Sequence, residues 1–329
     1  MVAPAKAAWR LYFVMKFIND GSEKLNNTIV TLGKFDGSHI GHQSLFSLAK
    51  KIKAKSDEEL FTVVFTFDIN PRQVCEDSYE SLCTNAERMN LEENLGMDYV
   101  YIWPFTKENM AMEPEVFVQR ILAENLGVKH IIVGGNFRFG RGRRGDAALL
   151  RSLQETFGFC VHIVPEVTYK GEVVSSTLIK REILAGNMED AAYMLGAPFS
   201  VSGKVVPGKH LGKSLGFPTI NFEAPKGKIL PPNGVYATKT IIGGKSFLSM
   251  TNIGTRPTFE EGALRNIETN IFDFSGDIYG ENARVEFYRF IRPEMHFESP
   301  SDLIEEIKRN KIQIKEFFKN QDEKHVWQN

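Results

Sequence analysis

Cysteine is scarce in this sequence, with three residues among 329, at Cys75, Cys83 and Cys160. Three scattered cysteines do not make a disulfide framework, and none stands in a C-x-x-C pair that would suggest a structural zinc site. So few cysteines fit a protein kept in a reducing compartment, and we therefore expect a cytoplasmic location.

An excess of charge of one sign is also missing. Lys and Arg number 40 against 41 for Asp and Glu, which argues against a dedicated nucleic-acid binder. No apolar run reaches about 18 residues, so no membrane-spanning helix is expected. The sequence has no internal repeat and no low-complexity tract. Its 42% hydrophobic and 25% charged residues are typical of a globular protein.

The length predicts two domains, because 329 residues exceed one ordinary hydrophobic core. Residues 1–14 lack the long apolar core and cleavage site of a signal peptide, and we predict that they form a disordered extension outside the fold. The run Gly196-Ala197-Pro198 interrupts the chain. We therefore place one domain over residues 15–196 and a second over residues 197–329.

The first domain alternates short apolar runs with helical patterns, which predicts an α/β fold with a mostly parallel sheet. The predicted strands are Lys16–Ile18, Ile29–Leu32, Phe61–Phe67, Tyr99–Trp103, His130–Gly134 and Cys160–Val164. The predicted helices are Gln43–Lys55, Ala86–Leu95, Pro114–Asn125 and Ala147–Phe157, with two further helical pieces in Ser175–Leu195.

The second domain loses the helical period and shows short β-rich runs separated by Gly, Pro and Asn. These runs are Phe199–Val206, Gly234–Ile242, Phe247–Asn252, Glu268–Phe272 and Arg284–Ile291. The pattern predicts an antiparallel β-barrel or sandwich. Ser299 and Pro300 then begin a C-terminal helix, whose apolar stripe would pack on the barrel.

The stretch from Ile29 to Gln43 contains, in this order, a predicted strand, a glycine-containing turn, two histidines and the start of a predicted helix. Free N–H groups and the partial positive charge of a helix N-terminus suit a phosphate chain. Gly41 would allow the backbone to approach a phosphate closely, and His39 and His42 would add hydrogen-bond donors beside it. Two incidental histidines are the alternative, but this order of elements favours a nucleoside triphosphate site.

Three further segments allow more than one interpretation. In the loop that begins at Asn136, this residue would hydrogen-bond a polar ligand, and Phe137 or Phe139 could stack on a ring. The arginines that follow could instead form a basic surface loop or an RNA contact. The helix start at Ser175-Ser176-Thr177, with Lys180 and Arg181, indicates either simple N-capping or a second anion site.

The third segment, Gly208–Gly216, would be either a flexible flap over phosphates or a glycine-rich hairpin. Thr219 and Asn221 would face one side of an extended segment, where their oxygens could bind Mg²⁺. Glu268, taken alone, is no more than a glutamate on a strand.

In this order, the motifs resemble those of the bacterial bifunctional riboflavin kinase/FAD synthetase family. The matching motifs are Gly33-Lys34-Phe35-Asp36-Gly37-Ser38-His39-Ile40-Gly41-His42-Gln43, Gly135-Asn136-Phe137-Arg138-Phe139-Gly140, Ser175-Ser176-Thr177, Gly216-Phe217-Pro218-Thr219-Ile220-Asn221, Asn252-Ile253-Gly254-Thr255-Arg256-Pro257-Thr258-Phe259, and Glu268 with Asp273-Phe274 and Tyr279-Gly280. The resemblance implies a Rossmann-like FMN adenylyltransferase domain followed by a riboflavin kinase barrel with a closing helix.

The same resemblance implies the site residues. Glu268 would be the base of the kinase, Thr219 and Asn221 would hold Mg²⁺, and His39 and His42 would stabilise the triphosphate for adenylyl transfer. Residues implied for ATP or phosphate are Gly33, Phe35, Asp36, Gly37, Gly41, Ser176, Thr177, Lys180, Arg181, Gly208, Lys209, Gly212, Lys213 and Gly216. Residues implied for the flavin are Asp68, Asn136, Phe137, Asn252 and Arg292. The implied partners are small molecules: riboflavin, FMN, FAD and ATP.

The sequence departs from the family at two places. Asn70 replaces the histidine of a Pro-His-Pro motif, and Lys180 replaces an arginine, whose bidentate contact lysine cannot reproduce. These changes motivate one alternative, a protein active only as a riboflavin kinase. A second alternative is an RNA-binding module that uses residues 137–144. Self-association is left open by the sequence.

Overall fold

The computed structural model describes residues 15–19, 23–70, 79–93, 95–206, 217, 219–223, 225–255, 265–276 and 278–326. The predicted extension 1–14 and the predicted phosphate-binding residues Gly208, Lys209, Gly212, Lys213 and Gly216 lie outside the described residues. The chain forms two compact units, Met1–Asp77 with Asn85–Val167 and Ser78–Thr84 with Thr168–Asn329. The domain boundary at residue 196 stays a prediction.

The first unit contains a six-stranded parallel sheet in the order β1-β4-β3-β2-β5-β8. Its strands, with the short antiparallel pair β6–β7, are β1 (Lys16–Ile18), β2 (Thr28–Leu32), β3 (Phe61–Phe67), β4 (Tyr99–Trp103), β5 (Val128–Gly134), β6 (Arg138–Phe139), β7 (Gly145–Asp146) and β8 (Cys160–Val164). The predicted parallel sheet and the positions of its strands are confirmed.

Helices connect these strands. They are α1 (Ile40–Lys55), α2 (Asn85–Glu93), α3 (Lys107–Met110), α4 (Pro114–Phe117), α5 (Ala147–Ser152) and α6 (Gln154–Phe157). α4 continues as a π-helical segment, Val118–Asn125. The helix predicted over 147–157 is interrupted at Leu153 and forms two short helices instead.

Apolar side chains cover both faces of the parallel sheet. Ile29 packs with Leu45 and Phe46 of α1, whereas Val30, the next residue of β2, packs with Leu122 on the opposite face. This alternation follows from the period of two in a strand, and the continuous apolar runs of the strands reflect burial on both sides. Each such buried side chain contributes about 1.5–3 kcal/mol.

The strand order places a topological switch point between β2 and β5. The chain leaves β2 towards β3 on one side and later adds β5 on the other side. Ligands of open α/β sheets bind outside the carboxyl ends of strands at such a point. Residues 33–39 follow β2 and Gly135 and Asn136 follow β5, so the switch point lies at two of the predicted motifs.

The second unit begins with a two-stranded hairpin and two helices. These are β9 (Thr168–Tyr169), β10 (Glu172–Val173), α7 (Ser176–Leu184) and α8 (Met188–Leu195). The segment Ser78–Thr84 also belongs to this unit. Within it, the Ser81 N–H donates to the Gly227 carbonyl at 2.7 Å, and the buried Lys228 ammonium donates to the Leu82 carbonyl at 3.1 Å.

A six-stranded antiparallel sheet, in the order β11-β16-β13-β14-β15-β12, forms the rest of the second unit with one long helix. Its strands are β11 (Phe199–Lys204), β12 (Thr219–Glu223), β13 (Gly234–Ile242), β14 (Lys245–Thr255), β15 (Arg265–Ile271) and β16 (Asn282–Arg292). The long C-terminal helix is α9 (Pro300–Val326).

This sheet curls, and an antiparallel bridge between Val206 and Asn221 connects its two ends. α9 covers one face, where Ile314, Phe317 and Phe318 pack in one apolar cluster. The predicted antiparallel barrel with its closing helix is therefore confirmed. No helix in the described part of the chain is long and apolar enough to cross a membrane.

Candidate active sites

The turn after β2 is tightly constrained. Phe35 has a φ of 49°, Gly37 of 85° and Ser38 of 43°, so three of the four residues from Phe35 to Ser38 adopt left-handed backbone geometry. Such conformations are costly for residues other than glycine and cluster at functional sites. The Phe35 ring is fully buried, and a Cβ on Gly33 would lie 2.7 Å from that ring. The turn therefore needs glycine at position 33 to seat the ring of Phe35.

Two stacked histidines follow this turn at the start of α1. His39 is the N-cap residue, and the N–H groups of His42 and Gln43 donate to its carbonyl at 2.7 and 3.0 Å. The two imidazole rings stack with centroids 3.7 Å apart, and the edge contact between Phe35 and His42 is 5.1 Å. The Nδ1 atoms of both histidines are buried without a hydrogen-bond partner among the described residues.

Burial keeps both imidazoles neutral. It lowers the pKa of His39 from 6.5 to about 4. It also lowers the pKa of His42 well below 6.5, with a smaller contribution from the neighbouring His39. Two neutral rings with unsatisfied nitrogens at a helix N-terminus form a site that favours an anion, because bound negative charge stabilises N–H donors and raises imidazole pKa values.

Other predicted residues of the first unit have contacts within the fold. Asp68 follows β3, and its Oδ1 accepts hydrogen bonds from the N–H groups of Ile69 and Phe105 at 2.9 and 2.8 Å. This carboxylate therefore connects the loops after β3 and β4. Asp36 is 5% exposed and Asn70 is 7% exposed. The predicted binding roles of Asp36 and Asp68 stay predictions.

The loop after β5 holds Asn136, whose Nδ2 donates to Glu166 at 3.1 Å. The ring of Phe137 stacks on that of Phe139 with centroids 5.7 Å apart, and Phe139 is buried in the core. Phe139 is therefore a packing residue, whereas the half-buried Phe137 is accessible to a ligand in part.

Three of the four arginines between residues 138 and 144 are paired with carboxylates. Arg141 and Arg144 both bind Glu113, the first at 3.2 Å, and Arg138 lies 3.9 Å from Asp146. Glu113 follows α3 and precedes α4, and nothing in the sequence pointed to it. These ion pairs reduce the net positive charge of the segment that the RNA-binding alternative requires.

In the second unit, Ser175 caps α7, since its Oγ accepts the N–H of Leu178 at 3.2 Å. The N-capping interpretation is thus confirmed for one hydroxyl. Ser176 is half-buried and Thr177 exposed. Arg181 forms a bidentate pair with Glu172 at 2.9 and 2.6 Å.

Lys180 is the residue that departs from the family motif. Its ammonium lies 3.7 Å from the centre of the Tyr79 ring, which is a close cation–π contact. Roles for Ser176, Thr177, Lys180 and Arg181 in ATP binding stay predictions.

The register of the antiparallel sheet brings the other predicted residues together. Glu268 on β15 lies directly opposite Asn221 on β12 and opposite Asn252 on β14. Residues directly opposite each other share one face of a sheet. Thr219, two residues before Asn221, donates its hydroxyl proton to Glu268 Oε1 at 2.7 Å. Four residues from three strands thus form one polar cluster.

Two residues that the sequence did not identify support this cluster and its surroundings. Asn266 Nδ2 donates to Asn221 Oδ1 at 3.0 Å, which orients the amide of the buried Asn221. Asn310 of α9 accepts from Arg292 Nε at 2.9 Å, and Glu306 lies 3.3 Å from the same nitrogen. Asn266 could have been identified from the sequence, because it lies two residues before Glu268 on the same strand and therefore shares a face of the sheet with it.

Comparison with known proteins matches two family models, one after the other along the chain. The model described as FAD synthetase matches residues 21–178, and the model described as riboflavin kinase matches residues 195–318.

Curated relatives match almost their whole length. A bifunctional riboflavin kinase/FMN adenylyltransferase of Listeria monocytogenes is 34% identical, with 89% of this chain and 93% of the relative aligned. Proteins of the same name from Bacillus subtilis and Escherichia coli are 31% and 32% identical, covering 91% and 88% of this chain and 95% and 92% of the relatives. A crystal structure named as a macrolide-efflux protein from Streptococcus pneumoniae is 30% identical, with a TM-score of 0.83 over 92% of this chain and 99% of that one.

Proposed function

The chain belongs to the family of bifunctional riboflavin kinase/FMN adenylyltransferases, and from this premise we propose which residues carry its two reactions. The chain is a transferase with both activities: it phosphorylates riboflavin to FMN with ATP and adenylylates FMN to FAD with a second ATP. The presence of both domains favours this function over a protein active only as a kinase.

Glu268 is the base of the kinase reaction. Its Oε1 accepts the Thr219 hydroxyl, which orients the carboxylate that takes the proton of the ribityl 5′-hydroxyl of riboflavin. The hydroxyl oxygen forms a bond to the γ-phosphorus of ATP, and the bond from that phosphorus to the β,γ-bridging oxygen breaks to release ADP. Phosphoryl transfer depends mainly on positioning and charge stabilisation. The single observation that carries this assignment is the cluster of Thr219, Asn221, Asn252 and Glu268.

The oxygens of Thr219 and Asn221 fit a magnesium ion. Mg²⁺ prefers hard oxygen ligands and is bound through few protein groups together with substrate phosphates. Thr219 donates its proton to Glu268, so the lone pairs of its own oxygen face a cation, and the side-chain oxygen of Asn221 lies on the same face of the sheet. When bound, Mg²⁺ would neutralise charge on the phosphates.

His39 and His42 serve the adenylyl transfer. An FMN phosphate oxygen forms a bond to the α-phosphorus of ATP, and the α,β-bridging oxygen leaves with pyrophosphate. The stacked imidazoles would donate N–H groups to the triphosphate, and the free N–H groups at the start of α1 would add to this stabilisation. Gly33, Gly37 and Gly41 supply backbone near this site, while the buried Phe35 ring supports His42.

Asn252 is the flavin-binding prediction with the most support, because it lies opposite Glu268. Asp68, Asn136, Phe137 and Arg292 remain proposed flavin contacts. We also propose a cytoplasmic protein whose partners are its small-molecule substrates, supported by the scarcity of cysteine and the balanced charge.

One experiment tests both sites. The protein is incubated with riboflavin, ATP and Mg²⁺, and the flavins are separated over time. Glu268→Gln should abolish FMN formation but still convert supplied FMN to FAD, whereas His42→Asn should do the reverse.

The control variant is Glu286→Gln, which alters a strand glutamate that pairs with Arg284 outside the polar cluster. It should leave both reactions near wild type. Loss of both activities in either site variant, or FMN formation by Glu268→Gln at the wild-type rate, would refute the assignment.

A further inference from the structure

A chain of hydroxyl groups lies inside the antiparallel barrel, where apolar side chains are expected. We call it the hydroxyl ladder, and its members are Thr238, Thr240, Ser249, Thr251 and Thr269, each fully buried. They share the interior face of the sheet with apolar residues such as Ile253 and Ile267, which are equally buried. A buried hydroxyl is costly unless it is hydrogen-bonded.

Each member of the ladder is bonded to another. Thr240 donates to Ser249 at 2.8 Å, and Ser249 bonds to Thr238 at 2.8 Å. Thr238 bonds to Thr251 at 2.9 Å, and Thr251 bonds to Thr269 at 2.9 Å. The ladder is therefore one continuous path across β13, β14 and β15.

Packing alone does not require these hydroxyls. Valine has nearly the shape of threonine and would fill the same space without a polar group. A hydroxyl differs from a methyl group by its directional bonds, which form only when the strands pair in one register. A slip of one residue would turn every side chain of a strand to the opposite face.

The pair Thr251–Thr269, which is the last rung of the ladder, is adjacent in sequence and in register to the polar cluster of Thr219, Asn221, Asn252 and Glu268. Thr251 pairs with Thr269, and the adjacent pair is Asn252 with Glu268. Successive residues point to opposite faces of a sheet. The rung Thr251–Thr269 therefore holds the interior side of the two strands whose other side carries Asn252 and Glu268.

We propose that the last rung of the hydroxyl ladder, Thr251–Thr269, is a positioning device for the kinase reaction, because it holds β15 against β14 so that Glu268 stays opposite Asn252 and in reach of Thr219. Thr251 and Thr269 are positioning residues, since both are fully buried on the face of the sheet opposite Glu268. The inference rests on the proposed role of Glu268 as the base.

The test measures kcat and KM for FMN formation in full-length variants, with FMN-to-FAD conversion as an internal control for intact protein. Thr251→Val removes the rung but keeps the shape of the side chain. Its kcat should fall about tenfold, because small displacements of a catalytic group have large effects on rate. KM for riboflavin should change much less, and Thr251→Ser should restore kcat.

Two further variants separate positioning from stability. The double variant Thr251→Val with Thr269→Val leaves no unpaired hydroxyl at the rung, so its Tm should exceed that of Thr251→Val, yet its kcat should stay low. Thr240→Val alters the far end of the ladder by the same chemistry and should keep kcat within about twofold of wild type.

Recovery of kcat together with Tm in the double variant would show that the ladder only stabilises the barrel and would overturn the proposal. Equal loss of kcat in Thr240→Val would do the same. If Thr251→Val does not fold, the double variant and Thr269→Val carry the comparison. An active Glu268→Gln would instead refute the proposed base, which is a separate result.

Discussion

The two units of this protein build their polar sites in different ways. In the first unit, the site comes from one continuous stretch, in which a constrained turn leads from β2 into α1 and stacks His39 on His42. In the second unit, the site comes from three strands, and the hydrogen bond between Thr219 and Glu268 joins residues 49 apart in the sequence.

This difference shows what each kind of sheet offers to a phosphate substrate. A parallel sheet ends in turns and helix N-termini, whose backbone N–H groups and buried imidazoles bind anions locally. An antiparallel barrel offers one face of neighbouring strands, where polar side chains meet only if the register is right. The first site should therefore be sensitive to local geometry, and the second to single side chains in the cluster.

The largest effect is expected for Thr219→Val in the second site. It removes both the hydroxyl that donates to Glu268 and the oxygen proposed to bind Mg²⁺. FMN formation should fall about a hundredfold in kcat, as it does when a donor at a reacting centre is lost. FAD formation from FMN should be unchanged, and Thr219→Ser should stay within a few-fold of wild type. A valine variant with normal kinase kinetics would contradict the role of this hydroxyl.

The second effect concerns the pH dependence of the first unit. Its folded state holds His39 neutral with a pKa of about 4, whereas the unfolded chain protonates this side chain near 6.5. The contribution of His39 to the free energy of unfolding is therefore fully present above pH 6.5 and is lost as the pH drops towards 4. The difference corresponds to at most about 3 kcal/mol in the free energy of unfolding.

Chemical denaturation at several pH values, monitored by the loss of FAD formation, would measure how the free energy of unfolding depends on pH. His39→Asn has no group that titrates at this position and should flatten the curve between pH 6.5 and 4. A variant that keeps the wild-type slope would assign the pH dependence to other groups.

The third effect concerns the constrained turn. Gly33→Ala would place a Cβ 2.7 Å from the buried Phe35 ring, which also contacts Phe46 at 5.0 Å and so has little room to move. Overpacking of this kind costs about 1–3 kcal/mol. FAD formation should fall because His42 moves with the ring, while FMN formation should persist.

Gly135→Ala is the matched control for this change. Its Cβ would meet no atom closer than Ile163 Cγ2 at 4.0 Å. Equal losses of Tm in the two alanine variants would argue that the turn is not constrained by the Phe35 ring.

The smallest effect is expected for Asn266→Ala, which removes the donor that orients Asn221. Loss of one such hydrogen bond costs about 1 kcal/mol, so FMN formation should fall about fivefold. The exposed Asn282→Ala on β16 serves as the control and should match wild type. If both variants have the same kcat, Asn221 does not depend on its neighbour for orientation.

Most of the secondary structure could be predicted because its signals are local. The strands of the parallel sheet follow from short apolar runs, and Ser299 caps α9 as its position before Pro300 indicated. The break at Leu153 within the helix predicted over 147–157 was not visible, since the apolar pattern continues through it.

The sequence by itself determined the elements of both folds and, through its motifs, the family and the residues of the His39–His42 stretch. All of these depend on residues close together along the chain or on their order.

The tertiary structure decided which distant residues meet. Only the register of β12, β14 and β15 places Thr219, Asn252 and Glu268 together, and only folding buries His39 enough to keep it neutral. Only the paired strands reveal the hydroxyl ladder, because register and burial arise from the packing of the whole unit and not from local pattern.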